Sequence, residues 1–261
     1  MNDLLQVSGI PTPGRWLSDA GKGTPKGYPQ YEVWARGSSG AILQTNKMAS
    51  DTKVRQSTLQ GSRRLIVGIS GASGVIYGIR MLQALRLAGV ESHLVMSRSA
   101  ELTLAYETRM KVRDVEALAD VVYHRDDMGA AISSGSFPML GMVVAPCSIR
   151  SMSEIASGVT STLLTRAADV TLKEQRRLVL MLRETPLHVG HLRTMLALAE
   201  MGAVIAPPVP AFYALPESLQ DIVDHSVGRV LDLFGLNSEL VTRWGEDAVK
   251  GQVRRRRPQG E

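Results

Sequence analysis

The apolar run Arg177-Leu178-Val179-Leu180-Met181-Leu182 closes on Arg183 and Glu184, a charged pair that packing explains poorly, because such side chains are seldom buried unless paired. Just upstream, Arg166, Asp169 and Lys173 fall at helical spacings of three, four and seven, which places them on one stripe. A carboxylate among cations can protonate a departing phosphate while the cations neutralise its charge. Glu184 is the candidate acid. The alternatives are a structural ion pair of Glu184 with Arg183 or Arg166, and an exposed salt-bridged face for the stripe.

A second chemical signal lies at the start of the patterned region. Arg63-Arg64-Leu65-Ile66-Val67-Gly68-Ile69-Ser70-Gly71-Ala72-Ser73-Gly74 passes from apolar and β-branched to glycine and serine, then resumes as an amphipathic segment from Val75 to Ala88. This reads as strand, tight turn and helix N-terminus. Free main-chain amides and the positive end of the helix dipole would face an anion there, and glycine lets the backbone approach it. A phosphorylated ligand is the expectation. The spacing G-x-x-G-x-x-G, with no Gly-Lys-Ser/Thr after it, supports neither a dinucleotide fingerprint nor a P-loop. A βα turn kept small for tightness alone is the alternative.

The other apolar runs end in similar residues: Ser97 after the second, Pro146-Cys147-Ser148-Ile149-Arg150-Ser151 after the third, Glu184-Thr185-Pro186 after the fourth. Short hydroxyls and helix starts at one rim suit a mononucleotide phosphate and its hydroxylated chain, although each serine taken singly reads as an N-cap. His188 and His191 lack a third ligand at a proper offset, so no metal is expected. Cys147, the single cysteine, rules out an internal disulfide and reads as a small hydrophobe ending a buried strand rather than as a nucleophile.

Strand-like and helical runs alternate to position these residues: 64–70 and 75–88, 92–97 and 99–107, 140–145 and 150–174, 177–183 and 190–201, 203–207 and 216–234. Repeated βα units imply an α/β fold, a three-layer, doubly wound and mostly parallel sheet that binds ligands beyond the carboxyl ends of its strands.

The chain has 261 residues, 44% of them hydrophobic and 21% charged, enough for one good-sized domain plus extensions and without a membrane-spanning run. A reducing, cytoplasmic setting is expected. The net charge of +5 belongs to the ends: residues 1–62 hold seven basic and four acidic side chains, residues 250–261 hold five and one, and the remainder carries −2. Nucleic-acid binding is therefore not expected of the core, and Arg254 to Arg257 read as a solvated basic tail. Residues 1–62, with four prolines and no apolar period, read as a flexible extension without a secretory signal; 63–247 is the expected domain and 248–261 the tail.

Five segments together carry a resemblance: GISGASGVIYGIRMLQAL, SRSAELTLAYET, AISSGSFPMLGMVVAPCSIRSMSEIASG, LLTRAADVTLKEQRRLVLMLRETPLHVGHLRTM and GAVIAPPVPAFYALPESLQDIVDHSVGRVLD. In order, over residues 63–247, they resemble the UbiX-type flavin prenyltransferases. The resemblance implies a flavodoxin-like or Rossmann-like flavoprotein. Such an enzyme joins a dimethylallyl group from dimethylallyl phosphate to N5 and C6 of reduced FMN without a metal, and supplies prenylated FMN to a UbiD-type decarboxylase. It also implies a large homo-oligomer, a dodecamer, with sites near subunit contacts.

Carried over by position, the resemblance assigns FMN binding to Gly71, Ala72, Ser73, Ser97, Ser148, Ile149, Arg150, Ser151 and Arg166. Tyr213 and Arg229 match positions that hold the dimethylallyl phosphate, with Lys173 and Arg183 as further phosphate donors. Ser73 and Glu107 match residues that handle protons at the flavin, and Glu184 and Lys173 complete the catalytic set. Two other readings stay open: a non-catalytic FMN-carrying subunit of a hydroxyaryl-acid decarboxylase, and a related flavoprotein that oxidatively decarboxylates a cysteine-like thiol.

Overall fold

In the computed structural model, which describes residues 63–238 and 240–241, the apolar run after Arg63 forms strand β1 (Arg64–Ile69), with Leu65, Ile66, Val67 and Ile69 fully buried. Burial on both faces marks an interior strand of a parallel sheet. The chain continues through α1 (Val75–Leu87), β2 (Glu91–Met96), α2 (Arg98–Glu107), α3 (Val112–Glu116), β3 (Val121–Tyr123) and a 3₁₀ turn (Ala131–Ser133). Then follow β4 (Gly141–Cys147), α4 (Ile149–Ala156), α5 (Leu163–Lys173), β5 (Arg177–Leu182), α6 (Val189–Glu200), β6 (Val204–Ile205), a second 3₁₀ turn (Phe212–Ala214) and α7 (Leu219–Leu233).

The six strands are all parallel in the order β3-β2-β1-β4-β5-β6. This is the Rossmann order, and the direction of winding reverses between β1 and β4, which is where ligands bind in such sheets. Alternate residues of β1 feed two cores: Leu65, Val67 and Ile69 pack with α1, α2 and α7, whereas Ile66 packs with α4, α5 and α6. A bidentate Arg80–Asp224 pair, at 2.6 and 3.0 Å, joins α1 to α7. The α/β, doubly wound expectation holds.

Two local expectations change. The single helix expected over 150–174 is two helices, because Gly158 turns the chain at φ +69° and the Thr162 side chain accepts from Thr165 N–H to start α5 afresh. Strand β3 and helix α3 lie in a stretch with no expected element. The extension at 1–62 and the tail at 248–261 lie outside the described residues, as do residues 242–247 of the expected domain.

Candidate active site

The segments that follow β1, β2, β4 and β5 line one cavity of about 690 Å³, within the range of small-molecule sites. Gly71, Ala72, Ser73, Ser97, Ser148, Ile149, Arg150, Ser151, Arg183 and Glu184 all reach it. The strand ends are tied by main-chain bonds from Ser97 N to Ile69 O (2.9 Å) and from Arg183 N to Cys147 O (3.0 Å).

Three helices begin at the cavity. Ser97 caps α2 by accepting from Ala100 N–H, Ser148 caps α4 by accepting from Ser151 N–H, and Thr162 caps α5. The amides of the first two residues of α2 and α4 have no intrahelical partner, so the wall presents partial positive charge. Ser97 and Ser148 are thus N-caps and cavity residues at once. Gly71 allows the walls to approach, since a Cβ there would lie 2.1 Å from Ser99 Cβ and 3.0 Å from the Ser99 carbonyl carbon.

The N-terminus of α1 is different and corrects the first expectation drawn from the glycine turn. Glu107, at the end of α2, accepts from Gly74 N–H (3.1 Å to Oε1 and 2.9 Å to Oε2) and from Val75 N–H (3.0 Å). The anion at this helix start is the chain's own carboxylate, and a ligand phosphate must be sought at the other starts. Ser73, one residue before the clamped amides, is exposed at the cavity.

Ser73 and Arg183 also border a second, more apolar chamber of about 440 Å³, walled by Ile76, Tyr77, Pro208, Ile222 and Val223. Burial raises the Tyr77 phenol above its ordinary value and the nearby Arg183 charge pulls it back. The Arg183 guanidinium makes no ion pair among the described residues, which rules out the Arg183–Glu184 pair as an alternative. Glu184 is exposed, and its Oε1 accepts from Thr185 N–H at 2.9 Å.

Five expected residues line neither chamber in this copy: Glu107, held on the Gly74 and Val75 amides, and four that stand elsewhere. Arg166 is bound to Asp169 at 2.8 Å, so the Arg166–Glu184 pair is not formed. Lys173 Nζ donates to Glu174 at 2.6 Å, Arg229 bonds Asp232 at 2.8 Å, and the Tyr213 hydroxyl meets His225 Nε2 at 3.1 Å. Sequence reasoning missed Arg98, Ser99, Arg125, Asp126 and Glu154 at the cavity. Arg98 and Ser99 directly follow Ser97 and were legible as a helix start; Arg125 and Asp126 follow the unforeseen β3.

Cys147 is fully buried, and burial pushes its thiol up to about 12, which leaves no thiolate for nucleophilic attack. His188 accepts through Nδ1 from Gly190 N–H and His191 N–H, so it is the N-cap of α6. Among the described residues no cluster of three metal-ligating side chains occurs.

Residues 53–231 match the family described as Flavoprotein. The flavin prenyltransferase UbiX of Salmonella typhimurium is 60% identical over 185 residues, spanning 70% of this chain and 98% of that protein. Among solved structures, AnUbiX (PadA1) in complex with FMN and dimethylallyl pyrophosphate superposes with a TM-score of 0.69 at 52% identity, covering 70% of this chain and 97% of that one. A dodecameric FMN-dependent UbiX-like decarboxylase from Escherichia coli O157:H7 gives 0.68 at 52% identity, with 69% and 98% covered.

Proposed function

The chain belongs to the UbiX-type flavin prenyltransferases within the Flavoprotein family, and from that premise we propose that it transfers a dimethylallyl group from dimethylallyl phosphate to reduced FMN. When bound, reduced FMN supplies the electron-rich ring atoms N5 and C6 that take the prenyl group. The observation that carries the reading is that Ser73, Arg183 and Glu184 line one polar cavity and that Ser73 and Arg183 also border the apolar chamber beside it. The polar cavity fits a flavin mononucleotide through its helix starts and the Ser73, Ser97 and Ser148 hydroxyls. No described acidic partner occupies Arg183, so its charge is available to an anionic ligand. The apolar chamber offers Ile76, Ile222 and Val223 to an isoprenyl chain.

In this reading Glu184 protonates the phosphate as its C–O bond breaks and the electron pair leaves with oxygen, and Arg183 offsets the charge that develops there. Ser73 and Glu107 hold and move the proton at the flavin edge. Lys173, Tyr213 and Arg229 require an assembly for their part: none reaches a chamber within one copy, so a neighbouring copy would present them to the prenyl phosphate. A homo-oligomer is proposed on the same ground, supported by the dodecameric Escherichia coli relative. Among the described residues no helix is long and apolar enough to cross a membrane. A cytoplasmic location, and delivery of prenylated FMN to a UbiD-type decarboxylase, complete the proposal, with residues 63–247 as the catalytic domain.

Purified protein given reduced FMN and dimethylallyl phosphate without oxygen should yield a flavin heavier by one prenyl group in the mass spectrum. Glu184→Gln should stop turnover and keep FMN binding. FMN binding without any modified flavin would favour the carrier reading instead, and a parallel reaction with the diphosphate distinguishes the two donors.

A further inference from the structure

We propose that Ser70 is a positioning residue that sets the spacing between the two main walls of the flavin cavity, an inference that rests on the flavin reading above. The β1–β4 ladder runs from Leu65↔Gly141 to Gly68↔Val144 and stops there. Pro146 carries no N–H, so the ladder cannot continue through it. Ser70 takes over at that point. Its N–H donates to Pro146 O at 3.2 Å, its Oγ donates to the same carbonyl at 2.9 Å, and the same Oγ accepts from Ser148 N–H at 2.7 Å.

Ser70 is 1% exposed, and a hydroxyl is costly in such a place unless its hydrogen bonds are made. Here donor and acceptor are both used. Among the described residues, the side-chain hydrogen bonds joining these two loops are all made by Ser70. On one side, Ser70 is followed immediately by Gly71, Ala72 and Ser73; on the other, it grips the amide of Ser148, the N-cap of α4. One buried hydroxyl therefore fixes where the β1 turn stands relative to the positive end of α4, and it touches neither cavity itself. Expected as a possible N-cap, it bridges two strand ends at the switch point instead.

Ser70→Ala leaves the Ser148 amide without its acceptor, and the α4 start is free to drift from the β1 turn. The dissociation constant for FMN, read from flavin fluorescence, should rise about 10-fold, the scale of one unsatisfied buried donor. The KM for dimethylallyl phosphate measured at saturating FMN should stay within about twofold, because the apolar wall of its chamber comes from α1 and α7 and the bridge meets Arg183 only through the main-chain bond to Cys147. Ser70→Thr, which keeps the hydroxyl, should bind FMN within about threefold of wild type, since one hydroxyl can serve both partners. Should the alanine protein fail to fold, Ser70→Cys, a weak donor and acceptor, is read in its place and should weaken FMN binding measurably. FMN affinity unchanged in the Ala or Cys variant, a Thr variant as weak as Ala, or equal losses toward FMN and the prenyl donor would each overturn the inference. Failure of the wild-type protein to bind FMN would instead strike the flavin reading itself.

Discussion

Removing the carboxylate of Glu107 should separate two roles that the structure superimposes on it. Its oxygens make three contacts with the amides of Gly74 and Val75, at 2.9 to 3.1 Å, at the first turn of α1. Deleting a helix-capping side chain costs about 0.5–2 kcal/mol, and a charge at an exposed helix start adds about 0.3–1 kcal/mol. Glu107 is exposed, so solvent screening favours the lower end, about 1 kcal/mol for Glu107→Ala. In a domain of this size that corresponds to a fall of about 2–4 °C in Tm. Glu107→Gln keeps one oxygen to accept from Gly74 and Val75 N–H but loses the charge and the second acceptor, so about 1–3 °C is expected. Turnover should behave differently: glutamine cannot carry the proton, and about a 100-fold or greater loss is expected if Glu107 handles protons at the flavin. Thermal melts and anaerobic prenylation assays on both variants give the two readouts. An unchanged Tm for Glu107→Ala would refute the clamp, and full turnover by Glu107→Gln would refute the proton role.

Four further outcomes are expected. Gly71→Ala should lose about 1–3 kcal/mol, seen in urea unfolding, because its Cβ would fall against Ser99 and overpack the turn. Arg183→Ala should raise the KM for dimethylallyl phosphate about 10-fold or more and change the FMN dissociation constant less, since its guanidinium borders both chambers without an ion pair among the described residues; kinetics and flavin titration of the variant check this. Cys147 should resist iodoacetamide at pH 8 in the folded protein and react in urea, and Cys147→Ala should keep its activity. Burial holds the His93 imidazole below its ordinary value, against the pull of Glu91, so the folded state resists its protonation. Stability should therefore fall as pH drops from about 6.5 toward 5, before carboxylates titrate, and His93→Gln should flatten that slope in melts taken across the interval.

The fold was legible because its strands are short apolar runs with punctuation: Leu65 to Ile69 ends on serine and glycine, and Leu178 to Leu182 ends on Arg183-Glu184-Thr185-Pro186. What escaped has local causes. Val121 to Tyr123 is only three residues, too few to establish a period against polar flanks. Residues 150–174 carry helical spacing on both sides of Gly158, and nothing in that spacing records a φ of +69°. The clamp on α1 joins positions 33 residues apart, so no window that reads periodicity could have linked Glu107 to Gly74. Arg166 and Arg183 looked equivalent as cations beside a carboxylate. Their difference is one of direction: Arg166 finds Asp169 one turn away on its own helix, whereas Arg183 emerges from a strand end at the rim.

The splitting of one expected helix at Gly158 has a bearing on how freely this cavity could be redesigned. Restarting at Thr162 gives the wall an extra pole made of main chain, so much of the attraction for an anion resides in peptide groups that every substitution leaves intact. Libraries randomised at Ile149 and Arg150 should accordingly retain many binders, whereas Gly71, whose missing side chain is itself the requirement, should tolerate almost nothing. Mutational freedom in this crevice is apportioned by backbone against side chain, not by nearness to the ligand.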